Sequence, residues 1–226
     1  MSRHSIVIPV HNGARYLRAA LDSVGALQAA TPPEVIVVDD GSSDASAAIA
    51  EAWGARIVRQ PARAGAAAAR NRGAALARGE WLHFLDADDL YEPERLQALE
   101  AVAAEADLVV GQIVYLLSPD LPAEQAARVQ RPPGAIPGWY PGGVMVRRER
   151  FLASGGFDAS LAAGEFIDWV LRLREAGCRV AQTAARVAER RVHADNLGKA
   201  SREDFGASYL RILHAARQRA RQTPPR

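Results

Sequence analysis

Five carboxylates stand in two clusters, each directly after a short apolar run. Asp39 and Asp40 follow one run, and Asp86, Asp88 and Asp89 follow another. In an extended chain end, Asp86 and Asp88 point to the same side. Carboxylates placed in this way repel each other unless a cation lies between them, and their oxygens suit Mg²⁺ or Mn²⁺. The alternative is that these acids stabilise the N-terminus of the helix that follows.

The first half of the chain alternates strand and helix signals, and this alternation must position the two clusters. Short β-branched or apolar runs predict strands over 6–10, 35–38, 56–58, 81–85 and 107–110. Helical spacing and alanine-rich stretches predict helices over 17–27, 44–54, 66–76 and from Pro93 onwards. Such an alternation implies a parallel sheet with right-handed crossovers, in which ligands bind at the carboxyl ends of the strands. Both acidic clusters are therefore expected at one crevice.

The second half has a less regular pattern. Residues 116–142 contain six prolines and predict an irregular connection, after which a strand is expected over 143–146. Residues 165–176 predict an amphipathic helix, and a last helix from Ser201 places Phe205, Tyr209 and Ile212 on one side. Because nothing gives the tail a core of its own, we expect a single domain over 1–226.

Composition excludes several classes of protein. Hydrophobic residues at 49% and charged residues at 24% rule out wholesale disorder, and the single Cys178 rules out an intrachain disulfide or a Cys-rich zinc site. No apolar stretch approaches the ~20 residues of a transmembrane helix, and no signal peptide is seen, so a cytoplasmic protein is expected. The Walker A, GxGxxG, GxSxG and HExxH motifs are absent.

The basic residues concentrate at the C-terminal end. Residues 186–226 carry ten Arg or Lys and four Asp or Glu. This segment could meet an anionic membrane surface, an acidic partner or a phosphate-bearing ligand, or it could simply be a solvated helix face. Nucleic-acid binding is not expected, because the basic residues are not interleaved with stacking aromatic residues.

Four motifs follow one another over residues 4–90. They read Ser5-Ile-Val-Ile-Pro-Val-His-Asn, Val37-Val-Asp-Asp-Gly-Ser-Ser-Asp, Ala69-Arg-Asn-Arg-Gly and Phe84-Leu-Asp-Ala-Asp-Asp. In this order and spacing the chain resembles family 2 glycosyltransferases of the GT-A fold. Weaker similarity continues through Gly155-Gly-Phe-Asp to Arg190-Arg-Val-His.

The resemblance implies an α/β fold, a Rossmann-like α/β/α sandwich with a mostly parallel central sheet. Residues 1–111 would bind a nucleotide-diphosphate sugar, with a UDP-sugar favoured. Residues 112–200 would bind an unknown acceptor, and 201–226 would form a basic helix. The implied reaction transfers the sugar to an acceptor hydroxyl with inversion and uses a divalent metal, Mn²⁺ or Mg²⁺. Two alternatives stay open: a catalytically silent nucleotide-sugar-binding protein and, with less support, a nucleotidyltransferase.

The resemblance also implies roles for individual residues. Donor contacts are expected from Pro9, His11, Asn12, Asp39, Asp40, Arg70 and Asp86, and metal contacts from Asp88 and His193. Asp40, with Asp39 beside it, would accept hydrogen bonds from the base or ribose. Arg70 would reach a base carbonyl or the diphosphate. The alternatives are a surface helix residue for Arg70 and a lone loop histidine for His193.

The catalytic base is where the chain departs from the family pattern. Family members commonly have Glu-Asp before a Leu-Arg-Leu run, whereas this chain has Glu165-Phe166, followed by Asp168. Glu165 and Asp168 are three residues apart and thus share one helix face near its N-terminus. Either could be the base, and Glu165 is preferred because it adjoins the usual position. The alternative is that both acids cap the helix and Phe166 marks a lost activity.

Overall fold

The computed structural model describes residues 3–129, 131–194 and 202–222, and in the last segment it describes the side chains of residues 208–219. Nine strands are described: β1 His4–Val10, β2 Glu34–Asp39, β3 Arg56–Arg59, β4 Trp81–Phe84, β5 Leu90–Tyr91, β6 Leu108–Leu117, β7 Ile136–Pro137, β8 Val144–Arg147 and β9 Val180–Val192. Eight α-helices are described: α1 Ala14–Gly25, α2 Ser46–Trp53, α3 Ala66–Leu76, α4 Arg95–Glu100, α5 Ala123–Arg128, α6 Arg148–Ala153, α7 Glu165–Glu175 and α8 Arg202–Gln222. The fold is therefore α/β, as the sequence predicts.

All nine strands join one sheet, in the order β3-β2-β1-β4-β8-β6-β9-β5, with β7 paired to β6. The predicted parallel pairing is confirmed for β3, β2, β1 and β4. The second half is mixed, because β8 pairs antiparallel with both β4 and β6, whereas β6 and β9 are parallel. The sheet thus runs without a break from the first half of the chain into the second. The division into halves at residue 111 stays a prediction.

Helices cover both faces of the sheet because the side chains of each strand alternate in direction. On β1, Val7 faces a core to which α3, α6 and α7 contribute, whereas Ile6 and Ile8 face a core with α1 and α2. The packing of α3 on β1 is close, since a Cβ on Gly73 would lie 2.3 Å from a methyl group of Val7. Burial on both faces explains why the first strands are continuous apolar runs.

The structure differs from the sequence prediction at several places. Strand β9 was not predicted, because arginine, alanine and glutamate interrupt its apolar residues. Helix α4 begins at Arg95 rather than Pro93, and β6 continues to Leu117, beyond the expected start of the irregular connection. That connection also contains α5 and β7.

Helix α8 bears out only part of its expected packing. Ile212 is buried, but Tyr209 is 53% exposed. The side chain of Phe205 lies outside the described residues. None of the helices in the described ranges combines the length and the apolar character that a bilayer crossing requires.

Candidate functional site

A cleft of about 530 Å³ opens where β1, β2 and β4 end. Most of the predicted site residues line it, namely Pro9, His11, Asn12, Asp40, Arg70, Asp86, Asp88 and His193. Asp39, Glu165 and Asp168 lie outside this lining. The parallel strand ends therefore bring both acidic clusters to one crevice, as the alternation of strands and helices predicts.

The loop after β1 is fixed to the loop after β2. Asn12 has a left-handed backbone with φ of 51°, and its Oδ1 accepts a 2.8 Å hydrogen bond from the backbone N–H of Ser43. The backbone N–H of Asn12 donates to Ser42 Oγ, and His11 Nδ1 donates to the Asp40 carbonyl at 2.9 Å. His11 must carry its proton on Nδ1 here, because a carbonyl oxygen only accepts. One wall of the cleft is thus formed before any ligand binds.

The carboxylates of Asp39 and Asp40 are engaged by the protein itself. Asp40 accepts hydrogen bonds from Gln60 Nε2 and from the backbone N–H groups of Ala64 and Gly65, all at 2.6–2.8 Å. Asp39 Oδ1 accepts from the backbone N–H of Ser42. An ionised carboxylate offers about four acceptor sites, so Asp40 keeps about one for a ligand. In the structure, Asp40 thus holds the loop that leads into α3. Its contact with a nucleotide stays a prediction.

Arg70 holds two acids together rather than standing on a helix surface. Its guanidinium is buried, and Nη2 donates to Asp86 Oδ1 at 2.5 Å while Nη1 donates to Glu165 Oε1 at 3.3 Å. Burial lowers the pKa of Arg70, but the charges of Asp86 and Glu165 outweigh it and raise the pKa above its usual value. Arg70 therefore stays charged and links the β4 loop to the start of α7.

Asp88 and His193 meet across the cleft. Asp88 Oδ2 lies 2.9 Å from His193 Nε2, and the imidazole ring packs 4.6 Å from the ring of Tyr16. Strand β9, which ends at Val192, is what carries His193 to the β4 loop. The arrangement supplies one carboxylate oxygen and one imidazole nitrogen at the same point. Among residues 3–129, 131–194 and 208–219, no group of three metal-ligating side chains converges.

Asp89 has a different environment from its neighbour Asp88. Its side chain is buried, and Oδ1 accepts a hydrogen bond from the backbone N–H of Arg191. Burial, together with the charges of Asp86 and Asp88, raises the pKa of Asp89 well above its usual value. Asp89 thus holds β9 against the loop after β4, whereas Asp88 contacts His193 in the cleft.

Several cleft residues were missed by sequence reasoning. Besides Arg70, four arginines line the cleft, namely Arg15, Arg63, Arg190 and Arg191. Arg190 lies 5.1 Å over the ring of Tyr140, and Arg191 donates from Nε to the Asp88 carbonyl. Only the Arg190-Arg191 pair had a signal, through its closeness to His193 in the sequence. Guanidinium groups are the donors that match phosphate oxygens best, so the chemistry of this lining suits a phosphate-bearing ligand.

The two candidate bases on α7 have different surroundings. Asp168 is buried and accepts a 2.8 Å hydrogen bond from Arg172 Nε, while Arg172 Nη2 donates to the Gly156 carbonyl. Asp168 is therefore occupied in holding the loop before α7. Glu165 begins the helix and faces Arg70. Phe166, where the family resemblance leads us to expect an acid, is buried among aromatic rings.

Proteins with similar sequences are glycosyltransferases. The profile of the family "Glycosyl transferase family 2" matches residues 5–155. An uncharacterised glycosyltransferase of Escherichia coli, YibD, is 38% identical over 113 residues, which cover 48% of this chain and 32% of YibD. An uncharacterised glycosyltransferase of Haemophilus influenzae is 29% identical over 186 residues, which cover 75% of this chain and 61% of that protein. The chain thus spans between a third and three fifths of the length of these two relatives.

Solved structures show the same fold. TarS of S. aureus (residues 1–349, in complex with UDP) matches 96% of this chain and 65% of the TarS chain, with a TM-score of 0.74 and 19% identity. The mannosyltransferase PcManGT of Pyrobaculum calidifontis, solved with GDP-Man and Mn²⁺, matches 96% of this chain and 64% of its own, with a TM-score of 0.70. Both are GT-A glycosyltransferases, so the predicted fold is confirmed. Because the family profile covers residues 5–155 of the 226, this chain belongs to glycosyl transferase family 2.

Proposed function

We propose that this chain transfers a sugar from a nucleotide-diphosphate donor, with a UDP-sugar favoured, to an acceptor hydroxyl with inversion at the anomeric carbon. The observation that carries the proposal is the meeting of Asp88 and His193 in an arginine-lined cleft at the strand ends. Structural neighbours support it, since TarS was solved with UDP and with UDP-GlcNAc, and PcManGT with GDP-Man and Mn²⁺.

Asp88 and His193 fit a divalent cation. A carboxylate oxygen and an imidazole nitrogen, 2.9 Å apart, are compatible donors for Mn²⁺, and two protein ligands leave coordination positions for water and for diphosphate oxygens. When bound, the cation would offset the negative charge of the departing diphosphate. A site completed by the substrate agrees with the absence of a three-ligand cluster in the described part of the chain.

The remaining cleft residues would bind and orient the donor. The fixed wall formed by His11 and Asn12 would receive the nucleotide base, while Arg190 and Arg191 would contact phosphate oxygens. Asp86 is paired with Arg70 through Oδ1, which leaves Oδ2 as an acceptor for the hydroxyl groups of the sugar. We infer these roles from the positions of the residues in the cleft lining and from the charges of their side chains.

Glu165 is our candidate for the base. It would accept the proton of the acceptor hydroxyl while the acceptor oxygen attacks the anomeric carbon and the bond from that carbon to the diphosphate breaks. A single displacement of this kind inverts the configuration. Asp168 is less suited, because its carboxylate is buried and accepts a 2.8 Å hydrogen bond from Arg172. Glu165 also lies outside the cleft lining, but it contacts Arg70, which lines the cleft. The buried Phe166 cannot act as the base, which keeps a silent nucleotide-sugar-binding protein as the rival function.

The first experiment measures nucleotide binding. Thermal shift with UDP, GDP, CDP and TDP, each with and without Mn²⁺, should identify one nucleotide that stabilises the protein only when the metal is present. Asp88→Asn should abolish the Mn²⁺-dependent rise in melting temperature that the nucleotide causes. The melting temperature of the variant without nucleotide should equal that of the wild type. Asp22→Asn on α1, an exposed carboxylate paired with Arg18, is the matched control and should behave as the wild type. An Asp88→Asn protein that binds the nucleotide with unchanged Mn²⁺ dependence would contradict the metal assignment.

A further inference from the structure

Helix α8 is attached to the rest of the protein by one face. Ile212 is 3% exposed, and its Cδ1 lies 3.1 Å from the position that a Cβ on Gly164 would take. One turn from the other end, Arg219 Nε donates to Glu175 Oε2 at 2.5 Å. The inner face of α8 therefore lies along α7, from Gly164, which precedes α7, to Glu175, the last residue of α7. This attachment fixes which side of α8 faces outwards.

The outer face of α8 carries large apolar side chains that stay exposed in the described part of the protein. Tyr209, Leu210 and Leu213 are 53%, 69% and 37% exposed. Residues three and four apart on a helix are neighbours, so Leu213 adjoins both Tyr209 and Leu210. Isolated exposed leucines are ordinary, but three neighbouring apolar side chains on one helix face form a patch. We call Tyr209, Leu210 and Leu213 the outer patch.

The helix segment that carries the outer patch is basic, although α8 has Glu203 and Asp204 in its first turn. From Tyr209 to Arg226 the sequence contains five arginines and no aspartate or glutamate. Arg217 is exposed and lies four residues beyond Leu213, on the same side of the helix. Arg211 is also exposed and donates to the carbonyl of Ser160. The patch thus adjoins cations that no acid of its own helix segment neutralises.

We propose that the outer face of α8 docks on an anionic lipid surface, with the outer patch in the interfacial region and Arg217 at the level of the phosphates. Exposed leucines and a tyrosine beside arginines are the composition of helices that lie in the plane of a membrane interface. The lipid headgroups supply the negative charge that the segment lacks, and the acyl boundary receives the leucines. The proposal stands on α8 alone and does not depend on the transferase function.

Co-sedimentation of the full chain with vesicles tests this docking surface. Binding to vesicles of phosphatidylcholine with about 30% phosphatidylglycerol is expected, with little binding to pure phosphatidylcholine and a strong decrease at 0.5 M salt, where charges are screened. Arg217→Glu should weaken partitioning at least about fivefold, since each basic residue near such a surface contributes about a factor of five. Leu210→Ser with Leu213→Ser should reduce binding to anionic vesicles as well.

Matched controls lie elsewhere on the surface. Arg128→Glu on α5 replaces another exposed arginine, and Leu152→Ser on α6 replaces another exposed leucine. Both controls should bind vesicles as the wild type does. The proposal is overturned if the wild type does not bind anionic vesicles, or if the α8 variants and the controls bind equally. It is also overturned if the α8 variants change only self-association in light scattering, which would make the outer patch a contact between two copies of the chain.

Discussion

Replacing Arg70 by methionine removes a buried cation that two carboxylates share. The guanidinium pairs with Asp86 at 2.5 Å and with Glu165 at 3.3 Å, and methionine fills a similar volume without the charge. Removing one partner of a fully buried ion pair costs about 3–5 kcal/mol. The two acids keep 29% and 23% of their side-chain exposure, so water would solvate them in part. We therefore expect a loss of about 2–3 kcal/mol in the free energy of unfolding.

Urea unfolding at pH 7, followed by fluorescence and circular dichroism, measures this loss. Arg59→Met is the matched control, because Arg59 pairs with Glu51 on the surface and such pairs contribute about 0–1 kcal/mol. A double-mutant cycle with Glu165→Gln should show coupling of at least about 0.5 kcal/mol, since neutralising Glu165 relieves part of the penalty in Arg70→Met. An Arg70→Met protein as stable as the Arg59→Met control, or a strictly additive cycle, would refute the bridging role.

Three further predictions concern stability. Gly73→Ala should lower the free energy of unfolding by about 1–3 kcal/mol despite the better helix propensity of alanine, because the new methyl group meets Val7 at 2.3 Å; an unchanged melting temperature would contradict this packing. Asp40→Ala should expose the 60–65 loop to faster hydrogen exchange, because the backbone N–H groups of Ala64 and Gly65 lose their acceptor; equal protection factors would contradict it. Burial holds the pKa of His83 well below its usual value, so the unfolded chain alone gains a proton below about pH 6.5 and stability falls. Between pH 7.5 and 5.5 the wild type should lose about 1.4 kcal/mol more than His83→Leu, and parallel losses would contradict the assignment.

The sequence predicts the first half of the fold because local signals there agree with the final packing. The strand before Asp39 is apolar on both faces, and the 66–76 helix is observed with the predicted bounds. Strand β9 could not be predicted, because its stability comes from pairing with β6 and β5 over a large sequence separation rather than from its own apolar pattern. The resemblance implied His193 as a metal contact, but without β9 the sequence did not show how His193 and Arg190 reach the cleft.

The site residues divide in the same way. The placement of Asp86 and Asp88 at a strand end follows from the alternation of strands and helices, and the structure has it. The pairing of Arg70 with Glu165 joins residues 95 positions apart, and nothing local in either segment predicts it. The engagement of Asp40 by the 60–65 loop likewise depends on how the chain enters α3. Residue type thus predicts the chemistry available, while long-range packing decides which carboxylates remain open.

Turnover compared with donor affinity decides whether Glu165 is the catalytic base. Release of nucleoside diphosphate from a sugar donor that carries the nucleotide identified by thermal shift should fall about 10²–10⁴-fold in Glu165→Gln, with donor affinity almost unchanged. Glu124→Gln, an exposed carboxylate on α5, should keep full turnover. Full activity in Glu165→Gln together with its loss in Asp168→Asn would contradict the account and make Asp168 the base. Donor binding without turnover in the wild type would instead favour the silent nucleotide-sugar-binding protein.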